Sequence, residues 1–319
     1  MFRMPPFLKE GDTIALISPS YHLEDASFDK AVSTVESWGF RVIESPYARG
    51  TYFNCYSGTV QQRLSDLEWA YSTPDVKAVL ASRGGYGTIQ LLPYLSDTMF
   101  RDNPKWLIGY SDITSLHAFS VLSGVVSVHG LMGSFLSNDE ADAESITLTK
   151  SLLLGDISNY CWQSSVEGRH GRATGRLIGG NLATLVPLLG TAYDPFRKQL
   201  PHDEGIILFI EEVEESAHNI DRMLRIMSMH GVFEKVKGIV CGAFTDCGDE
   251  FEVGSVENLL SSTCFDNQDH NNPLSLVRNI PLAYNFPAGH GGENYPLIIG
   301  AKYELVVEEH ECSLNYMEL

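Results

Sequence analysis

Residues Trp106–Ser120 read WLIGYSDITSLHAFS, and the fold turns on how that stretch is parsed. Trp106–Tyr110 is a short apolar run of the kind that forms a strand buried on both faces. It ends at Gly109-Tyr110, Ser111 follows at once, and a helix opens within a residue or two. A strand feeding a helix this abruptly is a joint of an α/β sheet, where functional groups collect beyond the carboxyl ends of the strands. A serine lifted there meets the N–H groups and positive potential of a helix N-terminus, which suit a developing oxyanion. Ser111 followed by Asp112 is equally good N-capping chemistry, and the second glycine of the GxSxG elbow is missing. From this segment alone, nucleophile and cap both stand.

Upstream, the same alternation repeats. Thr13–Ser18 (TIALIS) reads as a buried parallel strand ending in a Pro-Ser turn. Ser27–Trp38 places Phe28, Ala31, Val32, Val35 and Trp38 on one helical stripe before Gly39 stops it. Phe40–Ile43 is the next strand. Between Thr59 and Tyr71, Val60, Leu64, Leu67 and Tyr71 recur at helical spacing, and Arg63, Asp66 and Glu68 are expected on the outward face. Val76–Ala81 is a strand running into RGGYGT, and Ile89–Leu95 reads as a short helix. Strand and helix in alternation with short connections imply an α/β fold with a parallel sheet covered on both faces.

Beyond Leu154 the texture changes. Residues 156–172 are polar and aperiodic and read as a linker between an N-terminal domain, 1–155, and a smaller C-terminal α+β domain, 173–319. Strand-like pieces in the second domain are Thr174–Ile178, Gly205–Ile210, Gly238–Phe244, Pro296–Ile299 and Tyr303–Val307. Asn219–Met229 is an amphipathic helix, with Ile220, Met223, Leu224 and Met227 as its stripe and His230-Gly231 as its stop. Ser261–Pro273 is expected to be an exposed polar loop.

The chain has 319 residues, and 22 Lys+Arg against 41 Asp+Glu give a formal charge of −19. With no basic run, this argues against a nucleic-acid partner or an anionic membrane surface, both of which need facing cations. The N-terminus lacks the layout of a signal peptide. The uncharged stretch Ile113–Asn138 holds too many serines, histidines and glycines for lipid, and suits a buried helix and strand. Six cysteines lie scattered without CxxC or finger spacing, so neither a disulfide framework, nor a metal site, nor any cofactor is suggested. Free thiols fit a reducing cytoplasm.

The glycines of Arg83-Gly84-Gly85-Tyr86-Gly87 let backbone approach a ligand and present N–H groups, or simply build a tight turn. No Lys-Ser/Thr follows, and the GxGxxG spacing is absent, so this is neither kind of phosphate loop. A serine nucleophile needs a base, and ten histidines compete. His117 reads as a packed core residue, His129 as a strand end and His230 as a helix cap. His290 stands in Phe286–Gly292 (FPAGHGG), a loop too rich in glycine to be part of a packed element. Glu211 ends an apolar strand and can orient a base, whereas Glu212, Glu214 and Glu215 read as surface charge.

LKEGDTIALISPS, DVKAVLASRGGYGT, WLIGYSDIT, ILFIEE with DRML downstream, GIVCGAFTDC and FPAGHG follow one another between about residues 8 and 307. Together they resemble the LD-carboxypeptidase family of serine peptidases, which includes cytoplasmic murein tetrapeptide carboxypeptidases and microcin C immunity peptidases. The resemblance implies an N-terminal flavodoxin-like domain, related to class I glutamine amidotransferases, and a small β-rich C-terminal domain. It implies a nucleophile at Ser111, an acid at Glu211 and a base at His290. It also implies an oxyanion hole from the amide of Asp112 and one in the Gly84-Gly85 turn. The activity implied is metal-independent release of the terminal D-alanine of a murein tetrapeptide, in a cytoplasmic homodimer. The substrate's terminal carboxylate needs a cationic receptor, for which Arg83 is the candidate. The family often has Asp after the catalytic Glu, where this chain has Glu212.

Two other functions are compatible with these residues. A microcin-type peptidase would stack a nucleobase on an aromatic, for which Trp162 or Tyr160 is available. A catalytically inactive peptide-binding protein is the other, and the presence of all three triad residues speaks against it.

Overall fold

A computed structural model describes residues 2–164, 168–201, 204–248 and 280–318. The chain divides into two compact units, Met1–Ile157 with Gly292–Gly300, and Ser158–Gly291 with Ala301–Glu318.

In the first unit, β1 (Thr13–Ile17), β2 (Arg41–Glu44), β3 (Val76–Ala81), β4 (Trp106–Gly109) and β5 (Ser127–His129) pair in parallel in the order β2-β1-β3-β4-β5. That order is the flavodoxin-like one. Every residue of β1, β4 and β5 is buried, as apolar strands covered on both faces must be. The helices α1 (Asp25–Ser37), α2 (Val60–Ser72), α3 (Asp97–Asp102), α4 (Thr114–Ser123), α5 (Gly133–Leu136) and α6 (Ala143–Leu153) connect and follow these strands. A capping box at Thr59 and Gln62 starts α2, each side chain bonding the other residue's backbone N–H. The uncharged stretch after Ser111 forms α4 and β5, a buried helix and strand, and no helix among the described residues is long and apolar enough to cross a membrane.

Three expectations change in this unit. Arg63 and Asp66 are buried rather than outward-facing. Asp66 accepts from Ser45 Oγ at 2.7 Å and from the Tyr47 amide, so the loop after β2 covers that side of the helix. Ile89–Leu95 is not one helix but two 3-10 turns, Thr88–Gln90 and Leu92–Tyr94, because Pro93 withholds an N–H from any continuous helix. The third concerns Leu297–Ile299, placed by sequence in the second domain. It pairs antiparallel with β5 and forms the edge of the first sheet.

The second unit contains β6 (Tyr160–Gln163), β7 (Gly171–Asn181), β8 (Gly205–Val213), β9 (Val236–Thr245) and β10 (Leu282–Ala283); β11 is the Leu297–Ile299 strand of the first unit. With β12 (Lys302–Glu308) and β13 (Glu311–Met317) they build a sheet in the order β10-β9-β8-β7-β12-β13-β6. The β10–β7 side is parallel and the β12–β6 side antiparallel. Here too the linker reading changes, because Tyr160–Gln163 is an edge strand. Its burial alternates, Tyr160 and Trp162 inward, over only four residues, too short a span for the period to register. The helices are α7 (Leu182–Leu185) and α8 (Ala217–Met229), the latter burying Ala217, Ile220, Leu224 and Met227 and stopping at His230 with Gly231 left-handed. The Ser261–Pro273 loop lies outside the described residues.

The strand that delivers Ser111 is anchored by Trp106, which is fully buried, stacks on Phe7 at 5.6 Å and donates its indole N–H to Pro6 O at 3.0 Å. Trp106→Ala should therefore destabilise the first unit by about 3–5 kcal/mol, read as a lowered urea midpoint for its unfolding transition.

Candidate active site

Beyond β4 the backbone turns sharply. Tyr110 is still extended, but Ser111 takes φ +61° before a 3-10 turn, Ser111–Ile113, leads into α4. A non-glycine residue there stores about 1–3 kcal/mol of strain, which persists only if its surroundings hold it. Neither the 3-10 turn nor α4 has a side-chain cap, so Ser111 is not spent as an N-cap. Its hydroxyl makes no hydrogen bond among the described residues. Gly84 lies against it: a β-carbon at Gly84 would sit 2.9 Å from Ser111 Cβ and 3.1 Å from Oγ. The glycines after β3 thus bring backbone next to the serine, as an oxyanion turn requires.

Asp112, expected to contribute only its amide, is also held by its side chain. The carboxylate is buried and accepts from Ser20 Oγ at 2.5 Å and from the Thr88 amide at 2.9 Å, while Thr88 Oγ1 donates to the Asp112 carbonyl at 2.5 Å. Burial raises its pKa and these hydrogen bonds pull it back. Ser20 and Thr88 were missed as site residues. Both stand in quoted motifs, but nothing local reveals that each meets a residue far along the chain. Arg83 is exposed, with its guanidinium 6.0 Å from the Tyr21 ring centroid.

The second unit holds the other expected pair. Glu211, near the carboxyl end of β8, is wholly buried, and its Oε2 lies 2.7 Å from His290 Nδ1. With Nδ1–H donating to the carboxylate, the neutral ring has Nε2 as its basic nitrogen. Gly289 (φ +122°) permits this approach, since a β-carbon there would fall 2.8 Å from Glu211 Oε2. The loop itself is fastened. The Phe286 amide donates to Cys241 O, the Ala243 amide to Ala288 O, and the Phe286 ring packs edge-on against Trp162 at 5.0 Å and Tyr160 at 5.3 Å. Trp162 donates its indole N–H to Tyr284 O at 2.8 Å. Trp162 and Tyr160 are therefore core residues rather than faces on which a base could stack.

Glu212 also departs from its surface assignment. It is buried, accepting from Asn181 Nδ2 at 2.8 Å and from the Ala183 amide at 2.6 Å, and so caps the start of α7. Glu214 is exposed, as expected, and Glu215 partly so. Burial opposes a charge on His290, but its hydrogen bond to the Glu211 carboxylate and the charges of Glu211, Glu212 and Glu214 outweigh it, so the His290 pKa is raised. His117, by contrast, is a core histidine bonded to Gly109 O and Ser127 Oγ, each at 2.8 Å, and burial pushes its pKa down to about 4.

Two family descriptions match the chain: the LD-carboxypeptidase N-terminal domain over residues 14–130 and the LD-carboxypeptidase C-terminal domain over residues 174–305. The chain belongs to the LD-carboxypeptidase family and is a peptidase by that membership. A Synechocystis sp. protein provisionally named as a carboxypeptidase is 35% identical over 317 residues, 95% of this chain and 94% of its own. The microcin C7 self-immunity protein MccF of Escherichia coli is 28% identical over 269 residues, 74% of this chain and 76% of its own. Among solved structures, the muramoyltetrapeptide carboxypeptidase of Oxalobacter formigenes superposes with a TM-score of 0.83 at 25% identity, covering 96% of this chain and 99% of its own.

An NMR titration of the His290 ring should give a midpoint above that of an ordinary histidine. Glu211→Gln should lower that midpoint, because it removes a charge and leaves the opposing burial in place. An unchanged midpoint would show that Glu211 does not govern the ring.

Proposed function

We infer that the protein is a serine LD-carboxypeptidase that releases the terminal D-alanine of a murein tetrapeptide. The observation that carries this reading is Ser111: a left-handed serine at a strand-to-helix turn, against a glycine backbone, with no capping duty. Support comes from the Glu211–His290 hydrogen bond at 2.7 Å and from the named substrate of the Oxalobacter relative.

In this reading His290 Nε2 takes the Ser111 proton as Oγ attacks the carbonyl of the L-residue before D-alanine. The Asp112 amide and one from the Gly84-Gly85 turn bind the oxyanion, each good donor lowering the barrier by about 3 kcal/mol. Protonated His290 then gives its proton to the departing D-alanine nitrogen. Water, activated by the same imidazole, hydrolyses the acyl-enzyme. Glu211 holds the tautomer and stabilises the imidazolium as it forms. Arg83 is assigned to the terminal carboxylate, and the compartment and assembly are those of the resemblance, a cytoplasmic homodimer.

The relationship to MccF favours a second reading, hydrolysis of an aminoacyl-nucleotide of the microcin C type. The burial of Trp162 and Tyr160 removes the two stacking residues that this reading relied on.

Purified enzyme should release D-alanine from a murein tetrapeptide, with Ser111→Ala and His290→Ala each at least about 10³-fold slower. The acid limb of the rate profile should follow the raised His290 pKa, because only neutral imidazole can accept the proton. Inactivity on the tetrapeptide together with turnover of an aminoacyl-nucleotide would replace the first reading with the second.

A further inference from the structure

Thr88 and Arg63 bear on the same reading of Ser111 from outside the reacting atoms. Of the three loops at the carboxyl ends of β1, β3 and β4, the first two are each gripped twice. From one side the Asp112 carboxylate, on the β4 loop, takes Ser20 Oγ of the β1 loop and the Thr88 amide of the β3 loop. From another, Arg63 on α2 donates through Nη1 to Pro19 O at 2.8 Å and Gly87 O at 2.9 Å, the residues preceding those same two. Its Nε bonds Gly58 O at 3.1 Å and its Nη2 bonds Gln90 Oε1 at 2.5 Å. The guanidinium is almost wholly buried, and its charge interacts favourably with Asp112.

A leucine at position 63 would serve packing without a desolvation cost. Burying an arginine is worthwhile only where its fork must hold particular carbonyls. Here those carbonyls belong to the β1 loop, whose Tyr21 amide donates to Gly84 O at 3.3 Å, and to Gly87, which follows the proposed oxyanion turn. Thr88 completes the link, since its hydroxyl holds the Asp112 carbonyl at 2.5 Å and its amide holds the Asp112 carboxylate. One residue of the glycine loop thereby grips both ends of the residue whose amide is the other oxyanion donor.

We propose that Thr88 and Arg63 are positioning residues that set the separation of the two oxyanion donors through Asp112. Their effect falls on the chemical step rather than on substrate binding, because donors displaced by a fraction of an ångström still admit substrate but bind the transition state poorly.

Thr88→Val keeps the branched shape and deletes only the hydroxyl, and Thr88→Ser restores it. The expected result is a kcat about 10- to 100-fold lower for Thr88→Val with KM changed by less than about threefold, and most of kcat regained in Thr88→Ser. Arg63→Lys, which keeps the charge but loses the fork, should fall with Thr88→Val. Melting temperature should stay within about 4 °C of wild type for Thr88→Val.

A second readout does not depend on the natural substrate. A fluorophosphonate reacts as a Ser111 Oγ–P bond forms, the P–F bond breaks, fluoride leaves and the hydroxyl proton passes to the base, with the phosphoryl oxygen in the same hole. Thr88→Val should label more slowly in the same proportion as its kcat. If wild type labels but hydrolyses no tetrapeptide, the substrate reading fails while the labelling ratio still decides the clamp. Equal labelling and equal kcat in wild type and Thr88→Val would overturn the proposal. So would a loss that follows the melting temperature and is not recovered by serine, or a wild type in which Ser111 does not label.

Discussion

The left-handed backbone of Ser111 is the constraint on which the first unit's site depends. No L-residue adopts φ +61° without cost, so the neighbours must over-determine it. They do so from three directions. A buried strand anchored by Trp106 fixes the entry, and α4 fixes the exit. The Gly84 backbone closes the side where any β-carbon would collide. The conformation turns the hydroxyl away from the capping role that serine normally takes at a helix start. Strain at this residue and availability of its oxygen are two aspects of one geometry.

The acidic composition acquires a local meaning in the second unit. A chain with 41 carboxylates and 22 cations repels polyanions at long range. Close to His290, three of those carboxylates lift the imidazole pKa against the penalty of burial. A stronger base removes a proton more readily, yet it is protonated over more of the pH range near neutrality. For the general-base role proposed for His290, the glutamates around β8 would trade basicity against the fraction of molecules with a neutral ring. Glu212 contributes to this field while its own oxygens are committed to Asn181 and Ala183.

What could be read in the sequence follows the range of the interactions involved. β1, β3, β4 and α8 were legible because each is a continuous apolar run or stripe whose cause is local. Glu211 and His290 were legible as candidates for similar reasons, one ending a strand and the other standing in a glycine loop. Periodicity placed Arg63 on the outward face because it counts residues along one helix and cannot know that the loops carrying Pro19 and Gly87 fold over it. Glu212 misled for the same reason: it runs on in sequence to Glu214, which is exposed, and Glu215, which is partly so, whereas its partners lie on the adjoining strand β7 and at the start of α7. Tyr160–Gln163 looked irregular because four residues of alternation carry little signal. In each case the missing information was a partner distant in the chain.

The edge strand β11 affects how the molecule is made. β5 is translated as residues 127–129, but its antiparallel neighbour is residues 297–299, and the Asn294 amide that bonds Ser145 Oγ arrives equally late. Through most of synthesis the first sheet therefore has an unpaired, apolar edge, the kind of surface on which nascent chains associate wrongly. At about 5–20 residues per second the exposure lasts on the order of ten seconds or more. A break after the first 157 residues would make that exposure permanent, because the piece left behind lacks its own sixth strand. The unit that carries Ser111 is thus compact in space but not separable in sequence, and its completion waits for residues 297–299.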